Sequence, residues 1–89
     1  MLTITKKTKL ADIKSAIGCS TVSKNKAGNY IARNGYYYRH GATEDDFAER
    51  ILKKIQNIEV VDTKDIWKPF KGGASVANQS HFYVEFKIA

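Results

Sequence analysis

Residues 29–41, NYIARNGYYYRHG, set four tyrosines and two arginines around one Asn-Gly pair. Phenol rings stack on nucleobases, and guanidinium groups hold phosphates. Side by side on an exposed sheet, these residue types suit a polyanion that carries aromatic bases. They also have a purely structural use, because cross-strand aromatic pairs stabilise a hairpin by roughly 0.2–1 kcal/mol each. Which use applies depends on which rings face water.

A second group is WKPFKGGAS, residues 67–75. Gly72 and Gly73 permit a backbone in which successive N–H groups point at an anion, and Lys68 and Lys71 add charge. Trp67 and Phe70 either anchor such a loop or stack on a base. The segment lacks both the G-x-x-x-x-G-K phosphate loop and the G-x-G-x-x-G dinucleotide fingerprint. A third group is Asp62 or Asp65 followed by Glu85-Phe86-Lys87. Its spacing resembles the D…E-x-K metal site of the PD-(D/E)XK nucleases, which implies a carboxylate pair around Mg²⁺ with lysine beside the attacking water. That resemblance is confined to these few residues. His40, His81 and Cys19 are too few and too scattered for a zinc site. No metal or other cofactor is expected, and no catalytic residue is assigned.

The elements that must position these groups can be read from periodicity. LTI at 2–4 suits a short strand. Leu10, Ile13 and Ile17 share one helical face, so a first helix is expected over about 9–17, with Thr8 as N-cap and Gly18 as its stop. A strand meander should follow, broken first at NKAG. Asn34-Gly35 is the strongest short hairpin signal, because a type I′ turn needs positive φ at both central residues. With that turn, Arg33 faces Tyr36, Ala32 faces Tyr37, Ile31 faces Tyr38 and Tyr30 faces Arg39. The more apolar set, Ile31, Tyr36 and Tyr38, is expected inward, leaving Tyr30, Tyr37 and Arg39 in solvent and Arg33 reaching it near the turn.

ATEDDFAERILKKIQN is the clearest helix, at about 43–56. Thr43 and Asp46 approximate a capping box, acidic residues fill the first turn, and Lys53 and Lys54 fill the last. Its apolar stripe is Phe47, Ile51, Leu52 and Ile55. Strands are expected at 58–63 and over HFYVEFKI, where Phe82, Val84, Phe86 and Ile88 alternate with His81, Tyr83, Glu85 and Lys87. Between them, residues 64–80 read as a long loop. Two amphipathic helices and a set of hairpins predict an α+β two-layer sandwich, with both helices on one face of an antiparallel or mixed sheet. Helix, three strands and helix over 9–56 is also the element order of double-stranded RNA-binding domains. That family carries phosphate-binding lysines where this chain reads TEDD.

Eighty-nine residues suit a single domain, 1–89. The chain holds 15 Lys and Arg against 9 Asp and Glu, a net charge of +6 that favours polyanions through attraction and counterion release. One cysteine allows no internal disulfide, which fits a reducing cytoplasm. Neither a signal peptide nor an apolar run long enough for a membrane span is seen. NGYYYRHG and WKPFKGGASVANQSHFYVEF resemble segments of the small accessory proteins of bacteriophages and prophages. The resemblance implies action on a host or viral macromolecule, such as inhibition of a host defence system.

The sequence thus predicts a small basic binding protein and no enzyme, with nucleic acid, DNA or RNA, as the favoured partner. Phosphate attraction falls to Lys24, Lys26, Arg33, Arg39, Lys68 and Lys71, and stacking to Tyr30, Tyr37 and Trp67, with Gly72 and Gly73 shaping the loop. The alternative is a phage-encoded inhibitor that binds a host protein complex through the same tyrosines, as Tyr, Trp and Arg dominate interface hot spots. A third reading is a minimal metal-dependent nuclease through Asp65, Glu85 and Lys87. Oligomeric state is left open.

Overall fold

The structure is a computed structural model and describes residues 1–37, 43–68 and 79–89. In chain order it contains α1 (Leu10–Ile17), β1 (Thr21–Lys24), β2 (Tyr30–Tyr37), α2 (Glu44–Lys54), β3 (Ile58–Lys68) and β4 (Gln79–Ile88). The four strands pair antiparallel in the order β1-β2-β4-β3. Ile13 and Ile17 of α1 and Phe47, Ala48 and Ile51 of α2 join one core with Tyr30, Ala32, Phe82, Val84 and Phe86 of the sheet. Both helices therefore cover the same sheet face, as the α+β two-layer reading expects. No described helix is long and apolar enough to cross a membrane.

Local chemistry explains the helix boundaries. At the start of α2 the Asp46 N–H donates to Thr43 Oγ1 at 3.2 Å, and the Thr43 N–H donates to Asp46 Oδ2 at 3.0 Å. This is a reciprocal cap with Asp doing the work of Glu. Leu52 departs from the expected stripe and is 42% exposed. It lies about 100° past Ile51 around the helix, which carries it to the solvent edge. In α1, Lys9 occupies the N-cap without a side-chain bond, because Thr8 Oγ1 instead accepts the Thr5 N–H at 2.8 Å. Gly18 stops the helix at φ +73°, and the Arg50 guanidinium donates to the carbonyl of Ile17 at 2.9 and 3.1 Å. The LTI segment makes a single parallel pairing, Leu2 with Ile55, and not a strand. Asn57 secures it by accepting the Ile4 N–H at 2.9 Å and donating to the Ile4 carbonyl at 2.7 Å.

The expected Asn34-Gly35 turn does not form. The chain reverses earlier, at Asn25–Gly28, where the Gly28 N–H donates to the Asn25 carbonyl and the Asn25 N–H to the Asn29 carbonyl, both at 3.0 Å. Asn25 Oδ1 accepts the N–H groups of Ala27 and Asn29, also at 3.0 Å, and Gly28 takes φ +82°. A type I turn closed by a left-handed glycine is a standard short hairpin. Once the reversal is made there, β2 runs straight through Asn34 and Gly35. Its far edge is occupied residue by residue, from Tyr30 opposite Phe86 to Tyr37 opposite Gln79. Among the described residues, the three strands expected between the helices become two. The face assignment inverts with them: Tyr30 and Ala32 point into the core, while Ile31 and Arg33 take the opposite face.

β3 is also longer than the expected 58–63, because Asp62 to Lys68 continue to pair with β4. A bulge makes this possible. Val60 sits opposite Phe86 and Asp62 opposite Glu85, leaving Val61 as the extra residue. The insertion reverses parity for the rest of the strand. Beyond it, Thr63 and Asp65 align with the core residues Val84 and Phe82, whereas Lys64 and Ile66 align with Tyr83 and His81.

Candidate functional site

The sheet face opposite the helices is organised in cross-strand rows. One row runs through all four strands as Thr21, Arg33, Tyr83 and Lys64. Tyr83 is half-buried, and its three row neighbours are exposed. The Arg33 guanidinium carbon lies 5.6 Å from the Tyr83 ring centroid, and Lys64 Nζ lies 5.3 Å from it. Two cations from the two flanking strands thus bracket one aromatic ring. Cation–π contacts at exposed sites are worth about 0.5–1 kcal/mol each, so either cation can leave the ring for a stronger anion at little cost. The Lys64–Asp62 pair, at 3.7 Å between half-exposed groups, is similarly weak.

On one side of this row lie Gly35, His81 and Ile66. On the other lie Ser23, Ile31, Glu85 and Asp62. Glu85 is held in place there, its Oε2 accepting the side-chain amides of Asn25 at 3.1 Å and Asn29 at 2.7 Å. Ile31 is buried but is not a member of the core cluster, as its place on this second face requires. The face therefore has an acidic end near Glu85 and Asp62 and a cationic, aromatic middle at Arg33, Tyr83 and Lys64.

Of the sequence-predicted site residues, Arg33 sits in the middle of this face. Tyr30 does not: it is 2% exposed, stacks on Phe86 with centroids 5.3 Å apart and planes at 14°, and donates its hydroxyl to the Thr5 carbonyl at 3.4 Å. The turn at Asn25–Gly28 and the resulting register overturn its solvent-facing assignment. Lys24, exposed at the end of β1, reaches to 5.1 Å from the Tyr30 ring and so lies on the helix side of the sheet edge. Lys26 is exposed in the turn. Tyr37 ends β2, and Trp67 and Lys68 end β3; only their backbone pairing is described, Tyr37 and Lys68 both opposite Gln79 and Trp67 opposite Ser80. Arg39, Lys71, Gly72 and Gly73, like His40, fall outside the described residues. So does the remainder of the expected 64–80 loop, residues 69–78.

Tyr83, Lys64 and His81 are the additions. Tyr83 and His81 were legible as the non-core set of the alternating C-terminal strand. Lys64 was not, because only the bulge at Val61 brings it to this face.

The nuclease-like set is divided by the sheet. Asp62 shares a face and a row with Glu85, but Asp65 pairs with Phe82, whose side chain is in the core, and so emerges on the other face. Among the described residues no three His, Cys, Asp or Glu side chains stand close enough to hold a metal ion. Cys19 is buried with its thiol donating to the Thr21 carbonyl at 3.4 Å, and burial pushes its pKa up, away from a reactive thiolate.

Comparison with known proteins adds no relative: no protein-family model, curated protein or solved structure matches the chain.

Proposed function

We propose that the protein binds single-stranded nucleic acid on the sheet face opposite the helices. The observation that carries this reading is the row in which Arg33 and Lys64 bracket Tyr83. Tyr83 supplies a stacking platform for a base, and the two cations swing from the ring to the phosphates on either side of it. The net charge of +6 supplies the long-range attraction. Tyr83 and His81 project from the same face of β4 two residues apart, about 6.8 Å along the strand. That is twice the rise of about 3.4 Å between stacked bases of a duplex strand. Splayed bases of a single strand can sit at both positions; a stacked duplex cannot.

Fluorescence anisotropy with labelled single-stranded DNA, single-stranded RNA and duplex tests the proposal. Two phosphate contacts would give a salt slope near −1.4, hence a loss of about 7-fold in affinity between about 50 and 200 mM salt. Arg33→Ala and Lys64→Ala should each flatten that slope by about 0.7. Tyr83→Ala should weaken binding by about 5- to 150-fold, the range for one lost base stack. Absence of a salt-sensitive complex with any of the three probes rejects the reading. A lysate partner that survives nuclease treatment would favour instead the protein-directed inhibitor that the phage likeness implies.

A further inference from the structure

Resting on that reading, we infer that Gly35 is the floor of a second base seat, walled by His81. Gly35 lies in the row beside Tyr83, opposite His81, and is exposed. Glycine inside a strand weakens it, because it carries the largest backbone entropy and packs nothing, so its presence calls for a cause. Conformation is not that cause. The described glycines with positive φ are Gly18 and Gly28, and Gly35 is ordinary extended strand.

Nor, among the described residues, does packing require it. A Cβ added at Gly35 would meet His81 Cε1 at 3.6 Å and Nδ1 at 3.7 Å, both comfortable van der Waals distances. A side chain would fit, and its absence leaves a shallow step between the imidazole and the backbone of β2. On this face such a step admits a flat ring lying against the peptide plane of Gly35, with the imidazole of His81 at its side. Ser20 closes the outer edge of the step, its hydroxyl accepting the Gly35 N–H at 3.3 Å and facing Asn34 Oδ1 at 3.4 Å. The ligand class is a nucleobase of the same single strand, one nucleotide along from the base on Tyr83.

The inference sets stability and binding in opposition. Gly35→Ala and Gly35→Val should raise the melting temperature by about 2–8 °C, since strand glycine is unfavourable. The same variants should weaken binding of a labelled single-stranded DNA, Val by about tenfold or more because its branched methyls fill the step. An abasic scan of the oligonucleotide should show two adjacent sensitive positions for the wild type and one for Gly35→Val. Wild-type-like affinity in Gly35→Val, or a two-position scan in that variant, would overturn the seat and leave the function standing. A lowered melting temperature in both variants would overturn it too, by giving the glycine a structural reason. Failure of the wild type to bind any single strand would remove the function and the seat together.

Discussion

Replacing Tyr30 with alanine separates two ways of folding this chain. If Asn34-Gly35 were the hairpin turn, Tyr30 would stand in solvent and its loss would cost little. In the observed register it is 2% exposed and stacked on Phe86 at 5.3 Å. Truncating a buried aromatic ring costs about 3–5 kcal/mol, through lost burial and the cavity left behind. A domain of this length has roughly 4–13 kcal/mol in all. The variant should therefore melt about 15–30 °C lower or fail to fold.

Tyr30→Phe keeps the ring and gives up only a 3.4 Å hydrogen bond to the Thr5 carbonyl, so its cost should be about 0.5–1 kcal/mol. Tyr83→Ala, on the opposite face, removes two cation–π contacts and should cost about 1–2 kcal/mol while abolishing most binding. Urea unfolding followed by circular dichroism measures all three. Tyr30→Ala unfolding at the wild-type midpoint, with nucleic-acid binding impaired, would refute the register and restore Tyr30 to the surface.

Two further outcomes test the supports of the site. Asn25→Ala removes the acceptor for the Ala27 and Asn29 N–H groups and one of the amides on Glu85, so urea unfolding should show a loss of about 1–3 kcal/mol. A change below a few tenths would mean the turn forms without it. Burial raises the Cys19 thiol above its ordinary 9.0, so the folded state holds the proton more tightly than the unfolded chain. The stability this confers is complete below that value and is lost as pH rises through the raised folded one. The stability gap between wild type and Cys19→Ala should accordingly shrink as pH rises above 9.0, and a constant or widening gap would contradict it.

Periodicity carried the parts of the fold that are locally encoded. Residues that repeat every turn or every second position, such as Phe47 with Ile51 and Phe82 with Val84 and Phe86, reach the core as expected. So does the Thr43–Asp46 cap, whose partners lie within one turn. The expected break at NKAG also forms, as the Asn25–Gly28 turn, and what was not legible is whether a second turn would follow it. Asn34-Gly35 is a strong turn dipeptide, but after the Asn25–Gly28 turn, with its side-chain acceptor at Asn25 Oδ1, β2 runs on through it. Long-range pairing with β4 then consumes both edges of the choice by holding Asn34 and Gly35 extended. No local window of sequence contains both that dipeptide and the strand that holds it extended.

The bulge at Val61 shows how a small irregularity creates the site. In an unbroken alternation from Ile58, the even-numbered residues would stay on the core side, sending the Lys64 ammonium and the Ile66 side chain under the helices. One inserted residue exchanges the faces, so that Lys64 arrives beside Tyr83 and Ile66 beside His81. The exchange also leaves the apolar part of β3, Ile58 and Val60, in register with Ile88 and Phe86. Core and opposite face are thus satisfied by different halves of one strand. The half before Val61 follows the hydrophobic pattern. The half after it aligns a cation with the ring that Arg33 approaches from the other side, and this alignment gives the basic charge of the chain a defined place to act.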